Sequence, residues 1–185
     1  MEKISRLNPL FEIVKSCPNR VNKILIQKEK RQKKISEIIQ LAKANHIPLL
    51  FVPKQKLERL DRNHQGVVAL LTPKEFSSLD SILSSANVPF LVLLDGIEDP
   101  QNLGAIIRTA EGAGVDGIIL PERRTVGLSE AVSLVSAGAL EYVKVARVKN
   151  LARTMDDLKN RGVWLVGAEA TGKEYWSEFD YKLPV

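Results

Sequence analysis

Apolar positions along the chain switch between two periods, and the switching predicts alternating strands and helices. Residues 21–27 read as a strand, with Val21, Ile24 and Ile26 as its apolar members. Residues 33–45 place Ile35, Ile38, Ile39 and Ala42 at the i, i+3, i+4, i+7 spacing of an amphipathic helix. PLLFVP, residues 48–53, is a short buried strand bracketed by prolines. Residues 54–62 suit a helix, and GVVALL, residues 66–71, another strand. These elements predict a small α/β/α unit of about 75 residues. Residues 73–87 are serine-rich, with Phe76, Leu79, Ile82 and Leu83 at helical spacing, which predicts a connecting helix at a boundary.

The pattern then restarts. Strands are predicted over residues 90–94, 117–120, 142–146 and 162–166, and helices over 102–113, 129–136 and 150–160. Strand–helix alternation with short connections implies a parallel sheet covered on both faces. The fold class is therefore α/β, in two units. The last residues, YKLPV, form an apolar, strand-like run behind a polar loop, where a parallel sheet would normally continue. The expectation is a fragment.

Composition narrows the classes. Of 185 residues, 44% are hydrophobic and 26% charged, as in an ordinary folded protein. The longest apolar run, residues 89–94, has the size of a buried strand, so no membrane partner is expected. The first residues, MEKISRLNPLFEIV, lack a signal-peptide pattern. Cys17 is the one cysteine, which excludes an intrachain disulfide and a cysteine metal set. With only His46 and His64 beside it, no metal site is expected, and the expected compartment is the cytoplasm. Charge is uneven. Residues 1–86 carry 16 Lys/Arg and 8 Asp/Glu, a net +8, whereas residues 87–185 carry 11 and 14, a net −3. A basic first half fits a polyanionic partner. Its run KEKRQKK, residues 28–34, offers Lys30 and Arg31 for phosphate contact, or simply makes a solvated helix start.

The densest chemistry lies in LLDGIEDPQNLGAIIRTAEGAG, residues 93–114. Ligands of open parallel sheets sit beyond the carboxyl ends of the strands, and residues 95–101 form such a loop. Asp99 can cap a helix opened by Pro100, since proline lacks only an N–H that would be unbonded there. Leu103, Ile106, Ile107 and Ala110 make the buried face, and Arg108 lies off it. Asn102 and Arg108 do not stack on one helical face. They converge only if Asn102 points out of the helix mouth and Arg108 reaches back along the helix. Alternatively, Asn102 satisfies a loop and Arg108 pairs with Glu111. Neither GxGxxG nor GxxxxGK[ST] occurs, so a dinucleotide or P-loop site is not indicated.

DGIEDPQNLGAIIRTAEGAG, residues 95–114, closely resembles the first motif of the SpoU (TrmH-like) family of RNA ribose 2′-O-methyltransferases, of the knotted SPOUT class. SAGALEYVKVARVKNL, residues 136–151, resembles that family's middle segment. NHQGVVAL, residues 63–70, resembles the end of its RNA-binding domain. The resemblance covers nearly the whole chain and is nearest to the 23S ribosomal RNA guanosine branch. It implies an L30e-like substrate-binding domain over residues 1–74, a linker helix over 75–88, and a SPOUT methyltransferase domain over 89–185. It implies S-adenosylmethionine as methyl donor, a ribosomal or transfer RNA substrate, and a homodimer. Asn102 and Arg108 take the motif's positions for RNA handling and catalysis. A guanidinium gives up a proton reluctantly, so an arginine that holds phosphate and stabilises the ribose oxygen is preferred to an arginine base. Gly167, Ala168 and Thr171 are candidates for donor contact. His64 and Gln65 either touch RNA or form a turn.

The family's second and third motifs, a glycine–glutamate loop and a serine–asparagine segment that build the knot, are expected after Val185 and are absent. The 185 residues alone are thus expected to be inactive. An RNA-binding module without catalysis is the competing reading.

Overall fold

The computed structural model describes residues 2–30, 32–169, 171–172, 175–180 and 182–185. Two sheets organise it. The first contains β1 (Glu2–Ile4), β2 (Val21–Gln27), β3 (Leu49–Val52) and β4 (Val67–Leu71), in the order β1-β4-β2-β3. β2 and β3 are parallel, with Ile26 opposite Phe51; β4 runs antiparallel to both β1 and β2. Helices α1 (Leu7–Ser16) and α2 (Lys33–Ala44) cover one face through Leu10, Ile13, Ile35 and Ile38, all fully buried. The short helix α3 (Lys54–Glu58) covers the other face through Leu57.

β1 and α1 lie outside the elements read from the sequence. A three-residue strand is too short to show alternation, and β1 exists because β4 offers it an antiparallel edge. α1 carries Leu7, Leu10, Phe11 and Val14 at helical spacing, a legible signal beside Pro9, which its first turn tolerates.

The second sheet is wholly parallel: β5 (Leu91–Leu93), β6 (Gly117–Pro121) and β7 (Lys144–Val148), in the order β5-β6-β7. Helices α5 (Pro100–Gly112) and α6 (Glu130–Val135) pack on one face; α4 (Leu79–Leu83) and α7 (Leu151–Asn160) pack on the other. Both faces are covered, as the near-continuous apolar strands require.

Three expectations need correction. The connecting helix over 73–87 shrinks to α4, because Ser78 caps it late and Ser77 is taken up bridging Ala146. The strand read over 142–146 begins at Lys144, because Ala139–Glu141 form a 3-10 turn entered through Gly138 at φ 101°. The segment over 162–166 is not a strand. There Trp164 N–H donates to the Pro184 carbonyl at 2.8 Å, and Val185 lies between that segment and β5. Val185 N–H donates to the Pro89 carbonyl at 2.9 Å and its carbonyl accepts from Leu91 N–H at 2.7 Å, one step of a parallel pairing. Among the described residues, no helix is long and apolar enough to cross a membrane.

Candidate functional site

The carboxyl end of the second sheet is where its loops gather. β5 leads into residues 95–99, a loop that turns through Gly96 at φ 69°. Asp99 then caps α5, its Oδ1 accepting from Gln101 N–H at 2.8 Å, with Pro100 in the first helical position. The buried face of α5 is Leu103, Gly104, Ile107 and Ala110, while Ile106 is half-buried. Gly104 has a packing reason: a Cβ there would sit 2.6 Å from the Cβ of Val135, so its absence lets α5 and α6 touch backbone to side chain.

Asn102 and Arg108 both emerge from this helix into solvent. No hydrogen bond joins them, and six residues along an α-helix separate them by about 9 Å. The alternative pairing with Glu111 is also missing: Arg108 has no ion pair or side-chain hydrogen bond among the described residues. Its guanidinium is available to an external anion.

The donor candidates are different. Gly167, Ala168 and Thr171 are exposed, and a Cβ on Gly167 would meet nothing within 4 Å. The neighbouring cleft is lined by Lys159, Gly162, Val163, Trp164 and Leu165, with Trp164 exposed.

In the first unit, Lys30 is half-buried and its side chain crosses Gly66, where a Cβ would lie 2.5 Å from Lys30 Cδ. Arg31 lies outside the described residues. The NHQG stretch is a tied turn. Gln65 Oε1 accepts from Leu7 N–H at 2.9 Å, closing the start of α1, and His64 Nδ1 accepts from Gly66 N–H at 3.1 Å. Burial holds the His64 imidazole below its ordinary value, and the Lys30 charge adds to that.

Sequence reasoning missed the residues that join the two units. Glu141, its side chain fully buried, accepts from Arg20, and Lys74 Nζ donates to the Leu140 carbonyl beside it. Tyr142 donates its hydroxyl to Glu12 at 2.6 Å, which pushes the phenol up to about 12. The signal was Glu141 in SAGALEYVKV, a charge set in an apolar run just before the expected strand.

Comparison with known proteins places this geometry. Residues 89–185 match the SpoU rRNA Methylase family, and residues 7–77 match the RNA 2′-O ribose methyltransferase substrate binding family. A Staphylococcus saprophyticus protein assigned to the TrmH family of tRNA/rRNA methyltransferases is 42% identical over 170 residues, covering 89% of this chain and 68% of the relative. YacO of Bacillus subtilis, of the same family, is 39% identical over 183 residues, covering 96% and 73%. The SpoU methyltransferase AviRb of Streptomyces viridochromogenes shares the fold, with a TM-score of 0.78 at 23% identity over 99% of this chain and 69% of AviRb. A second AviRb structure, in complex with the cofactor AdoMet, aligns with a TM-score of 0.66 at 21% identity over 86% and 58%. With these matches covering both units, the chain belongs to the SpoU/TrmH family of RNA methyltransferases.

Proposed function

We propose that this protein transfers a methyl group from S-adenosylmethionine to a ribose 2′-hydroxyl of RNA, with a guanosine of ribosomal RNA as target. The observation that carries the reading is the succession of a ribose-methyltransferase substrate-binding match over residues 7–77 and a methylase match over 89–185. The AdoMet complex of AviRb supports the donor. The +8 charge of the first 86 residues supports a polyanionic substrate. A 2′-hydroxyl requirement makes the partner RNA and not DNA.

Within this reading, residues 1–74 bind substrate, 75–88 link, and 89–185 carry the chemistry, with Lys30 and Arg31 on phosphates. Arg108, free of internal partners, holds the phosphate next to the target ribose and stabilises charge growing on its oxygen. Asn102, in the first turn of α5, orients the ribose. Gly167, Ala168 and Thr171 contribute one wall for the donor. The active form is a homodimer, as the family resemblance implies. The test is incorporation from labelled S-adenosylmethionine into ribosomal RNA, transfer RNA and DNA, with the chain alone and with the relatives' length restored. Incorporation into ribosomal RNA by the longer form is expected. Incorporation into DNA, or into neither RNA by either form, overturns the proposal.

A further inference from the structure

The loop between β6 and α6 is anchored at its base and left free at its tip. Glu122 N–H donates to the Val148 carbonyl at 2.9 Å, fixing the loop to the end of β7. Val126 N–H and the Thr125 hydroxyl both donate to one acceptor, the Ile97 carbonyl, at 2.9 and 3.2 Å. Ile97 lies two residues before the cap of α5, so this loop is tied to the one that opens the α5 motif. Between the anchors stand only Arg123 and Arg124. Both are exposed, and among the described residues neither makes an ion pair or side-chain hydrogen bond, although Glu98 and Glu122 sit in the same two loops. Arg124 is held at φ 53°, a left-handed conformation that costs a non-glycine residue about 1 kcal/mol or more.

A solubilising pair of arginines needs neither two anchors nor a strained backbone, and the surrounding half of the chain is acidic, at −3 over residues 87–185. We infer that Arg123 and Arg124 form a preorganised phosphate-binding tip, which grips the RNA backbone beside the strand presented to α5. The inference rests on the RNA reading above and adds to it a contact from the acidic half of the chain. Rigidity matters, because two flexible arginines would lose rotamer freedom on binding, whereas a tied tip has its backbone already ordered. The guanidinium fork suits phosphate oxygens and is indifferent to base identity, so the tip sets register and not sequence.

Salt-dependent binding of a fluorescein-labelled 20-nucleotide RNA stem-loop to the full chain tests this. Each neutralised phosphate contributes about 0.7–0.9 to the slope of log K against log salt. Arg123→Gln/Arg124→Gln is expected to lower that slope by about 1.5, which makes affinity about eightfold less sensitive between 50 and 200 mM salt. Arg124→Gly separates charge from folding, since glycine accepts the left-handed backbone. It should lower the slope by a little under 1 with thermal stability unchanged or raised. A wild-type slope retained in both variants overturns the tip while the RNA reading stands. A wild-type chain that does not bind the stem-loop overturns the RNA reading, and the tip with it.

Discussion

The Arg20 guanidinium donates from Nη1 to both carboxylate oxygens of Glu141, at 2.8 and 2.6 Å, although 121 residues separate the two in sequence. Arg20 also reaches Glu2 at 3.2 Å, and Lys74 Nζ lies 3.9 Å from Glu141, so one buried carboxylate answers two cations. Desolvation lowers the Lys74 ammonium from its usual range and raises the Glu2 carboxyl. Removing Glu141 leaves the Lys74 ammonium without its carboxylate and Arg20 with Glu2 alone.

Glu141→Ala is therefore expected to cost about 3–5 kcal/mol in urea unfolding. Adding Lys74→Met to Glu141→Ala removes the ammonium that the lost carboxylate would leave buried, and should cost clearly less than Glu141→Ala alone. Equal losses would mean that the pair contributes only packing.

Arg108 makes the opposite case. It is exposed and has no internal partner, so Arg108→Ala should leave the melting temperature within the range of a surface substitution, about 0.5 kcal/mol either way. Methyl transfer by an active form should fall about 100- to 1,000-fold, with Arg108→Lys recovering little because a point charge cannot replace a bidentate fork. Substantial activity in the lysine variant would argue against the clamp.

His64 gives a pH dependence with a definite sign. Its folded pKa lies below the ordinary imidazole value, first through burial and then through Lys30. The unfolded chain consequently takes up the proton first as pH falls. Stability is complete above the unfolded pKa and declines as pH drops from there to the folded value, with no further loss from this group below it. Imidazole NMR should find His64 titrating below 6.5, and Lys30→Gln should move it upward. A midpoint above the unfolded value would contradict the tied-turn description.

Gly104→Ala should cost about 1–3 kcal/mol, since its Cβ would fall 2.6 Å from that of Val135 and two helix backbones would have to part. Gly112, where a Cβ meets nothing within 4 Å, is the control: alanine there should be neutral or stabilising. Differential scanning fluorimetry of the two variants side by side separates close packing from helix propensity.

The parts of this fold legible in sequence are those set by local chemistry. Asp99-Pro100 announces the start of α5, and Ile35, Ile38 and Ala42 announce the buried face of α2, because caps and helical spacing depend only on near neighbours. What escaped depends on partners far along the chain. β1 exists through Ala69–Leu71, and residues 163–164 are kept from pairing with β5 by Pro184 and Val185. At the candidate site, the outward placement of Asn102 and Arg108 on α5 was legible, because the Asp99 cap and the spacing of Leu103, Ile107 and Ala110 set which residues face solvent. The Arg123–Arg124 tip was not, because two arginines in a loop carry no period and their meaning comes from the Ile97 carbonyl that ties the loop down.

The buried Glu141 also governs cooperativity. With its carboxylate between Arg20 of one sheet's approach and the turn into β7 of the other, neither sheet can unravel without stranding a charge that belongs to its neighbour. The halves should consequently share one calorimetric transition, and a chain that has lost this carboxylate should melt in two steps.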